Sequence, residues 1–150
     1  MDGNLRSKIM VLIRKNLFRS IKYSISGYIG FFILEGVTYI LLREYGYAHL
    51  IWIDALAFFL GVAAEFLINE YWTTRNEGYH STSIQGHIWR LFKFEFLNLL
   101  GNGIAIAVQL SLLHFFDLYP LIGNIIGSGI AFPFNYAVQM KSVWKIDISS

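Results

Sequence analysis

The chain has 150 residues, of which 55% are hydrophobic and only 15% charged, and its net charge is +2 at pH 7. A soluble domain is usually about half apolar and about a quarter charged, so this composition, gathered in long apolar blocks, indicates a protein whose solvent is lipid. The absence of cysteine excludes disulfides and thiol chemistry.

The first predicted element is a basic amphipathic segment over residues 1–20. In LRSKIMVLIRKNLFRS (5–20), hydrophobic residues are interleaved with bases, a pattern typical of a helix that lies on an anionic membrane surface. The alternative is a basic leader that only aids solubility. A cleaved signal peptide is not predicted, because the basic region is long and the span that follows is of full length.

Four apolar stretches follow, and each has roughly the 20 residues that a helix needs to cross about 30 Å of hydrocarbon. They are residues 22–42, 50–69, 93–115 and 120–140. Short turns join the members of each pair, and a polar loop (71–90) joins the two pairs. The predicted fold is therefore an all-α membrane protein. It is a single domain over 1–150, with two helical hairpins preceded by an amphipathic interfacial helix.

The distribution of basic residues predicts the orientation of these spans. All twelve Lys and Arg residues except Arg43 lie in the N-terminal segment, in and beside the polar loop, or in the C-terminal tail. By the positive-inside rule, both termini are then cytoplasmic. The membrane is expected to be the cytoplasmic (plasma) membrane. Trp72 and Trp144, at the inner ends of the second and fourth spans, are predicted to be interfacial anchors.

The two hairpins also resemble each other in sequence. The second helix of each hairpin aligns with a shift of 70 residues, and the first helix with a shift of 71. The matched pairs are Asp54 with Asn124, Glu65 with Asn135, Asn69 with Gln139, Arg19 with Arg90, Lys22 with Lys93 and Gly30 with Gly101. Both halves enter the membrane from the same side, so the prediction is a pair of parallel repeats related by an axis along the membrane normal.

Polar side chains inside the spans are candidate binding residues, because such residues usually face the protein interior and suggest function. Seven of them belong to the cytoplasmic half and are predicted to line one hydrated cavity, and an eighth, Glu35, lies in the first span. The seven are Glu65, Asn69, Glu95, Asn98, Asn102, Asn135 and Gln139. The mouth of the cavity would be ringed by Arg19, Lys22, Arg90 and Lys93.

Two interpretations of these polar residues remain open. Amides and carboxylates can hydrogen-bond sugar hydroxyls while bases hold phosphate, so the cavity suits a phosphate-linked sugar. Alternatively, the amides only join helices by interhelical hydrogen bonds.

Several classes of protein are not predicted. The histidines lack metal-ligand spacing, and no nucleotide-binding or hydrolase motif occurs. The bases flank spans instead of forming a patch on a soluble fold. We therefore expect no metal, no cofactor, no nucleic-acid partner and no enzymatic activity.

The ends of the second and fourth spans resemble a known family. NEYWTT (69–74) and QMKSVW (139–144) are similar to the motif N-R-x-W-V-F of the GtrA-like family of small four-helix membrane proteins. RSIKYSISGYIGF (19–31) and RLFKFEFLNLLGN (90–102) are similar to the way that family begins helix one, and the resemblance covers about residues 17–145. This chain departs from the motif at Glu70, Thr74 and Ser142, which stand where the family has a base, a Phe and a Trp.

The resemblance implies a role in cell-surface polysaccharide synthesis, as a translocase of polyprenyl-phosphate-linked sugars or as an aid to a glycosyltransferase. It supplies no settled binding residues. A second hypothesis is a small multidrug-type proton antiporter that uses Glu35, although the charge bias and the repeat argue against it. A third is a scaffold that anchors a membrane-associated glycosyltransferase without transport. A homo-oligomer is expected under all three, because four helices make a thin-walled carrier.

Overall fold

A computed structural model describes the backbone of residues 3–78, 80 and 83–148, and the side chains of all of these except 3–9, 11, 12 and 121. These parts of the chain are mostly helical and contain no strand. The four long helices are α1 (Gly3–Tyr45), α2 (Leu50–Ile68), α3 (Ile84–Phe116) and α4 (Pro120–Val143). They form two compact units, Met1–Ser81 with Asp147–Ser150, and Thr82–Ile146. The first unit contains the hairpin α1–α2, and the second contains the hairpin α3–α4.

Helix α1 is longer than the predicted span. It runs without interruption through residues 20–22, where the sequence predicts one helix to end and another to begin. No Pro or Gly lies between residues 4 and 26 to break it. A separate interfacial helix over 1–20 is therefore not confirmed. Most side chains that give this segment its amphipathic pattern lie outside the described residues.

Each hairpin closes with a residue of positive φ. Helix α1 ends at Gly46, whose φ of 71° is easily reached only by glycine, and whose N–H donates to the carbonyl of Leu42 at 2.9 Å. Helix α3 ends at Asp117 with a φ of 51°, a conformation that Asp tolerates, and Pro120 then begins α4. The short turns place the helices of each hairpin antiparallel, as predicted.

Helix α2 continues into a π-helical segment, Asn69–Thr73, which the sequence does not predict. The wider winding buries Asn69, Glu70 and Thr73 together. The segment ends where the backbone N–H and the hydroxyl of Thr74 both donate to the carbonyl of Asn69, each at 2.9 Å. Single π turns inside helices are frequent at functional sites, and this one lies at the inner end of the predicted span.

Small residues let the two helices of each hairpin approach closely. A Cβ on Gly30 would lie 2.7 Å from the carbonyl oxygen of Gly61, and a Cβ on Gly61 would lie 2.7 Å from the carbonyl oxygen of Gly30. In the second hairpin, Gly127 lies against the backbone of Ala105 in the same way. Helix association in membranes depends on such close packing, because lipid gives no hydrophobic driving force between helices.

Three stretches in the described part of the chain are long and apolar enough to cross a membrane. They are Ile13–Tyr45, Tyr47–Thr73 and Ile84–Phe116. Helix α4 is a fourth helix of 24 residues, about 36 Å long at 1.5 Å per residue. The protein is therefore a helical membrane protein, while the fourth crossing, the choice of membrane and the cytoplasmic position of the termini stay predictions.

Candidate functional site

Asn69, one of the predicted site residues, is buried inside the first hairpin. The hydroxyl of Ser26 on α1 lies 2.7 Å from Oδ1 of Asn69 and 2.7 Å from the carbonyl oxygen of Tyr23. Asn69 is completely buried, and its Nδ2 has no hydrogen-bond partner among the described residues. One polar atom of the Asn69 amide is therefore unmatched at the inner end of the first hairpin.

Glu65 lies one turn before Asn69 and is only 9% exposed. Its Oε1 would be 3.6 Å from a Cβ on Gly27, and its own Cβ would be 3.0 Å from a Cβ on Gly30. The carboxylate thus lies against the part of α1 that carries no side chains. It is held inside the hairpin and does not project into the surrounding solvent or lipid.

Arg19 is engaged with an acid that the sequence analysis did not single out. Its Nη2 forms an ion pair with Oε2 of Glu77, and its Nη1 donates to Oδ1 of Asn16 at 3.0 Å. Nζ of Lys15 lies 3.4 Å from the same carboxylate oxygen of Glu77. Arg19 is 4% exposed, so this base, which the sequence predicts at the mouth of a cavity, is buried and paired with a carboxylate of the protein. The signal in the sequence was that Glu77 is the sole carboxylate of the basic loop 71–90.

Lys22 lies between two aromatic rings. Its Nζ is 5.1 Å from the ring centroid of Phe18 and 5.4 Å from that of Trp72, distances at which a cation is attracted to a ring face. Trp72 is 43% exposed, as an interfacial anchor requires, and its position at the headgroup level stays a prediction.

The loop after the π-helical segment is held by His80, which the sequence analysis set aside. Nδ1 of His80 lies 3.2 Å from Oε1 of Glu70, and Nε2 lies 2.9 Å from the carbonyl of Thr74 and 3.0 Å from that of Glu77. Both ring nitrogens face acceptors, so the protonated imidazolium satisfies every contact. Burial lowers the pKa of His80, but these hydrogen bonds outweigh it and raise the pKa above its ordinary 6.5.

We expect the loop 74–80 to loosen as the pH rises. A histidine whose pKa is raised on folding contributes its full stabilisation below about pH 6.5, and the contribution is lost as the pH rises through the folded-state pKa. Hydrogen exchange of the loop amides, corrected for intrinsic rate, should accelerate above that pH. The variant His80→Gln should show fast exchange both below and above about pH 6.5. Protection in the wild type that does not change with pH would contradict this assignment.

In the second hairpin, Asn135 and Gln139 lie on the buried side of α4. The side chain of Asn135 fills the space that a Cβ on Gly101 would occupy, and its Oδ1 has no partner in the described part of the protein. Gln139 is completely buried, and Arg90 on α3 is 4% exposed. Asn135 therefore lies against α3 as Glu65 lies against α1.

The remaining predicted residues of α3 differ in their surroundings. Oε1 of the half-buried Glu95 is buried with no partner among the described residues. Nδ2 of Asn98 donates to the carbonyl of Phe94 at 3.3 Å on its own helix. Asn102 is exposed. Lys93 lies with its Nζ 5.5 Å from the ring centroid of Trp89.

Two predicted positions have surroundings that do not match their assigned roles. Trp144 is not at the surface, because it is completely buried and packs edge-on against Phe94 at 5.6 Å between ring centroids. Its role is therefore packing, and the prediction of an interfacial anchor at that position is wrong. Glu35 is exposed on α1 and does not lie with the buried polar residues of its hairpin.

These features define the class of the protein. Three helical stretches that are long and apolar enough to cross a bilayer, in hairpins that bury carboxylate and amide side chains, define an integral membrane protein. Residues 22–144 match the family model of the GtrA/DPMS transmembrane domain, and the chain belongs to this family. The resemblance inferred from the span-end motifs is thus confirmed. A comparison with curated proteins found no match.

The family is associated with the translocation or synthesis of sugar-bearing lipids, and its members are generally membrane-associated and not catalytic. In the described residues no group of three or more His, Asp or Glu side chains is arranged to hold a metal ion.

Proposed function

We propose that this protein moves a polyprenyl-phosphate-linked sugar across the cytoplasmic membrane for the synthesis of cell-surface polysaccharide. The observation that carries the proposal is the pair Glu65 and Asn69, a carboxylate and an unmatched amide buried at the inner end of a membrane hairpin. Buried polar groups in a membrane helix are costly and usually serve a pathway or a ligand.

The predicted duplication of the hairpin is part of this proposal, because it would supply the same polar positions twice. Every fourth residue of α2 and its π-helical extension is buried, and the positions 70 residues later in α4 are buried too, apart from the half-buried Asn135. The six pairs are Ile53 and Gly123, Ala57 and Gly127, Gly61 and Ala131, Glu65 and Asn135, Asn69 and Gln139, and Thr73 and Val143.

The chemistry of these positions suits a sugar. A hydroxyl can both donate and accept, so it can donate to the carboxylate of Glu65 and accept from Nδ2 of Asn69. The prenyl chain would remain in the lipid, while the phosphate would be drawn to the bases Arg19, Lys22, Arg90 and Lys93. Glu95, Asn98, Asn102 and Gln139 are the further proposed contacts. Each hairpin is proposed to line a hydrated pathway with its own polar residues. Both termini are proposed to be cytoplasmic.

Transfer of a labelled lipid-linked sugar in proteoliposomes tests the proposal. The double variant Glu65→Ala with Asn135→Ala should abolish transfer without loss of folded protein. A matched control is Asp54→Ala with Asn124→Ala, which removes the same two functional groups from repeat-related, exposed positions at the outer ends. We expect the control to retain transfer. Equal transfer by both double variants would remove Glu65 and Asn135 from the mechanism.

The same preparation separates the other hypotheses. Proton-coupled uptake of a lipophilic cation that is lost in Glu35→Gln would indicate an antiporter. Copurification of a glycosyltransferase, with no lipid movement by the purified protein, would indicate a scaffold. The expected homo-oligomer is tested by light scattering of the purified protein in detergent.

A further inference from the structure

The ion pair of Arg19 and Glu77 sits where the proposed function needs a phosphate site. Glu77 belongs to the loop after α2, and its carboxylate bridges Arg19 and Lys15 of α1. Nε of Arg19 has no partner within the described parts of the chain. The guanidinium is therefore occupied by a carboxylate of the protein itself and still has one donor to spare.

We propose that Glu77 is an internal competitor for the phosphate of the lipid ligand, and that binding exchanges the carboxylate for a phosphate oxygen on Arg19 and Lys15. This inference rests on the proposed function and adds a regulatory residue to it. The ligand that fits is an isoprenyl phosphate with at least one negative charge. A neutral isoprenol brings no charge to replace that of Glu77, and it is excluded from the exchange.

The geometry suits such an exchange. Glu77 is 30% exposed and Lys15 is 51% exposed, so solvent or a headgroup reaches the pair although Arg19 itself is buried. A phosphate offers several acceptor oxygens to the planar fork of a guanidinium, which favours paired hydrogen bonds. The free Nε of Arg19 can supply one of them. A carboxylate that is partly exposed is also weakly held, because solvent screens the ion pair.

The loop that carries Glu77 has its own attachment. His80, three residues later, holds the backbone at Thr74 and Glu77 and contacts the carboxylate of Glu70. These contacts hold the backbone of the loop, so the carboxylate of Glu77 pairs with Arg19 again when no phosphate is present. The second half of the sequence repeats the two charges, with Arg90 matching Arg19 and Asp147 matching Glu77 at the shifts of 71 and 70 residues.

Binding of farnesyl phosphate to the full chain in nanodiscs of neutral phosphatidylcholine tests the exchange, with farnesol as the uncharged probe. Glu77→Gln should bind farnesyl phosphate about fivefold more tightly than the wild type, the size expected for releasing a partly exposed ion pair. Farnesol binding should not change. The control Glu44→Gln, which removes an exposed carboxylate near the opposite end of α1, should leave both affinities unchanged.

Two further variants keep the test independent of folding. Glu77→Asp retains the negative charge and should keep an affinity near that of the wild type, while Arg19→Gln should weaken phosphate binding. Unchanged or weaker binding by Glu77→Gln, or equal tightening for farnesol, would overturn the exchange. If Glu77→Gln binds farnesyl phosphate more tightly but the wild-type protein transfers no sugar, the exchange is upheld and translocation is overturned. Transfer that depends on Glu65 and Asn135, with no effect of Glu77→Gln, would overturn the exchange alone.

Discussion

Replacing Gly30 by alanine is expected to lower the free energy of unfolding by about 1–3 kcal/mol, the usual cost of overpacking a tight contact. The added Cβ would lie 2.7 Å from the carbonyl oxygen of Gly61 and 3.0 Å from the Cβ of Glu65. Neither atom belongs to a flexible side-chain end, so only a shift of the helices relieves the clash. Alanine favours a helix over glycine by up to about 1 kcal/mol, which offsets part of this loss.

Gly36 provides a matched control on the same helix. A Cβ there meets nothing within 4 Å, so Gly36→Ala should leave stability unchanged or raise it through helix propensity. Unfolding by SDS from mixed micelles, followed by tryptophan fluorescence, measures both variants. Equal stability of Gly30→Ala and Gly36→Ala would mean that the close approach of α1 and α2 at Gly30 contributes nothing to the free energy of unfolding.

The second hairpin allows the same comparison with its own pair. Gly127 lies against the backbone of Ala105, whereas a Cβ on Gly129 meets nothing within 4 Å. We expect Gly127→Ala to destabilise the protein and Gly129→Ala not to do so. This result would show that each hairpin depends on one close glycine contact.

The sequence predicts the helices and their pairing well, including the first residues of α2 and α4, but it does not predict where α1 and α3 begin. Hydropathy marks the length of chain that lipid can solvate, whereas a helix continues for as long as its backbone hydrogen bonds do. Helix α1 therefore begins well before residue 22. Helix α3 begins at Ile84, because the hydroxyl of Ser83 accepts from the N–H of Gly86 at 3.2 Å and caps it.

The sequence predicts only some of the side-chain environments in the site, for a physical reason. Exposing Glu65 or Asn69 to lipid costs free energy, so their presence in an apolar helix alone predicts that they face inward. Arg19 looks like a free base in the sequence, because its partner Glu77 is 58 residues away and pairs with it only through the fold of the loop. Trp144 matches the position of an interfacial anchor, yet the contact with Phe94 buries it.

Replacing Asn69 by leucine should lower sugar transfer about tenfold, the loss expected when a hydrogen bond worth about 1.4 kcal/mol disappears from the transfer pathway. Leucine has the same number of side-chain heavy atoms as asparagine and branches at the same carbon, so most of the packing between α1 and α2 is retained. The hydrogen bond from Ser26 to Oδ1 is lost, and interhelical hydrogen bonds in membrane proteins average only about 0.6 kcal/mol. Stability should therefore fall by less than 1 kcal/mol while transfer falls much further.

Thr38 offers the matched control for that experiment. It is a half-buried residue of α1 whose hydroxyl has no partner among the described residues, and Thr38→Val removes the hydroxyl with little change in shape. We expect this variant to transfer sugar at the wild-type rate. If Asn69 only joined the helices, Asn69→Leu would reduce transfer in proportion to the folded fraction. A transfer loss that exceeds the loss of folded protein in Asn69→Leu, and is absent in Thr38→Val, assigns the amide to the sugar pathway.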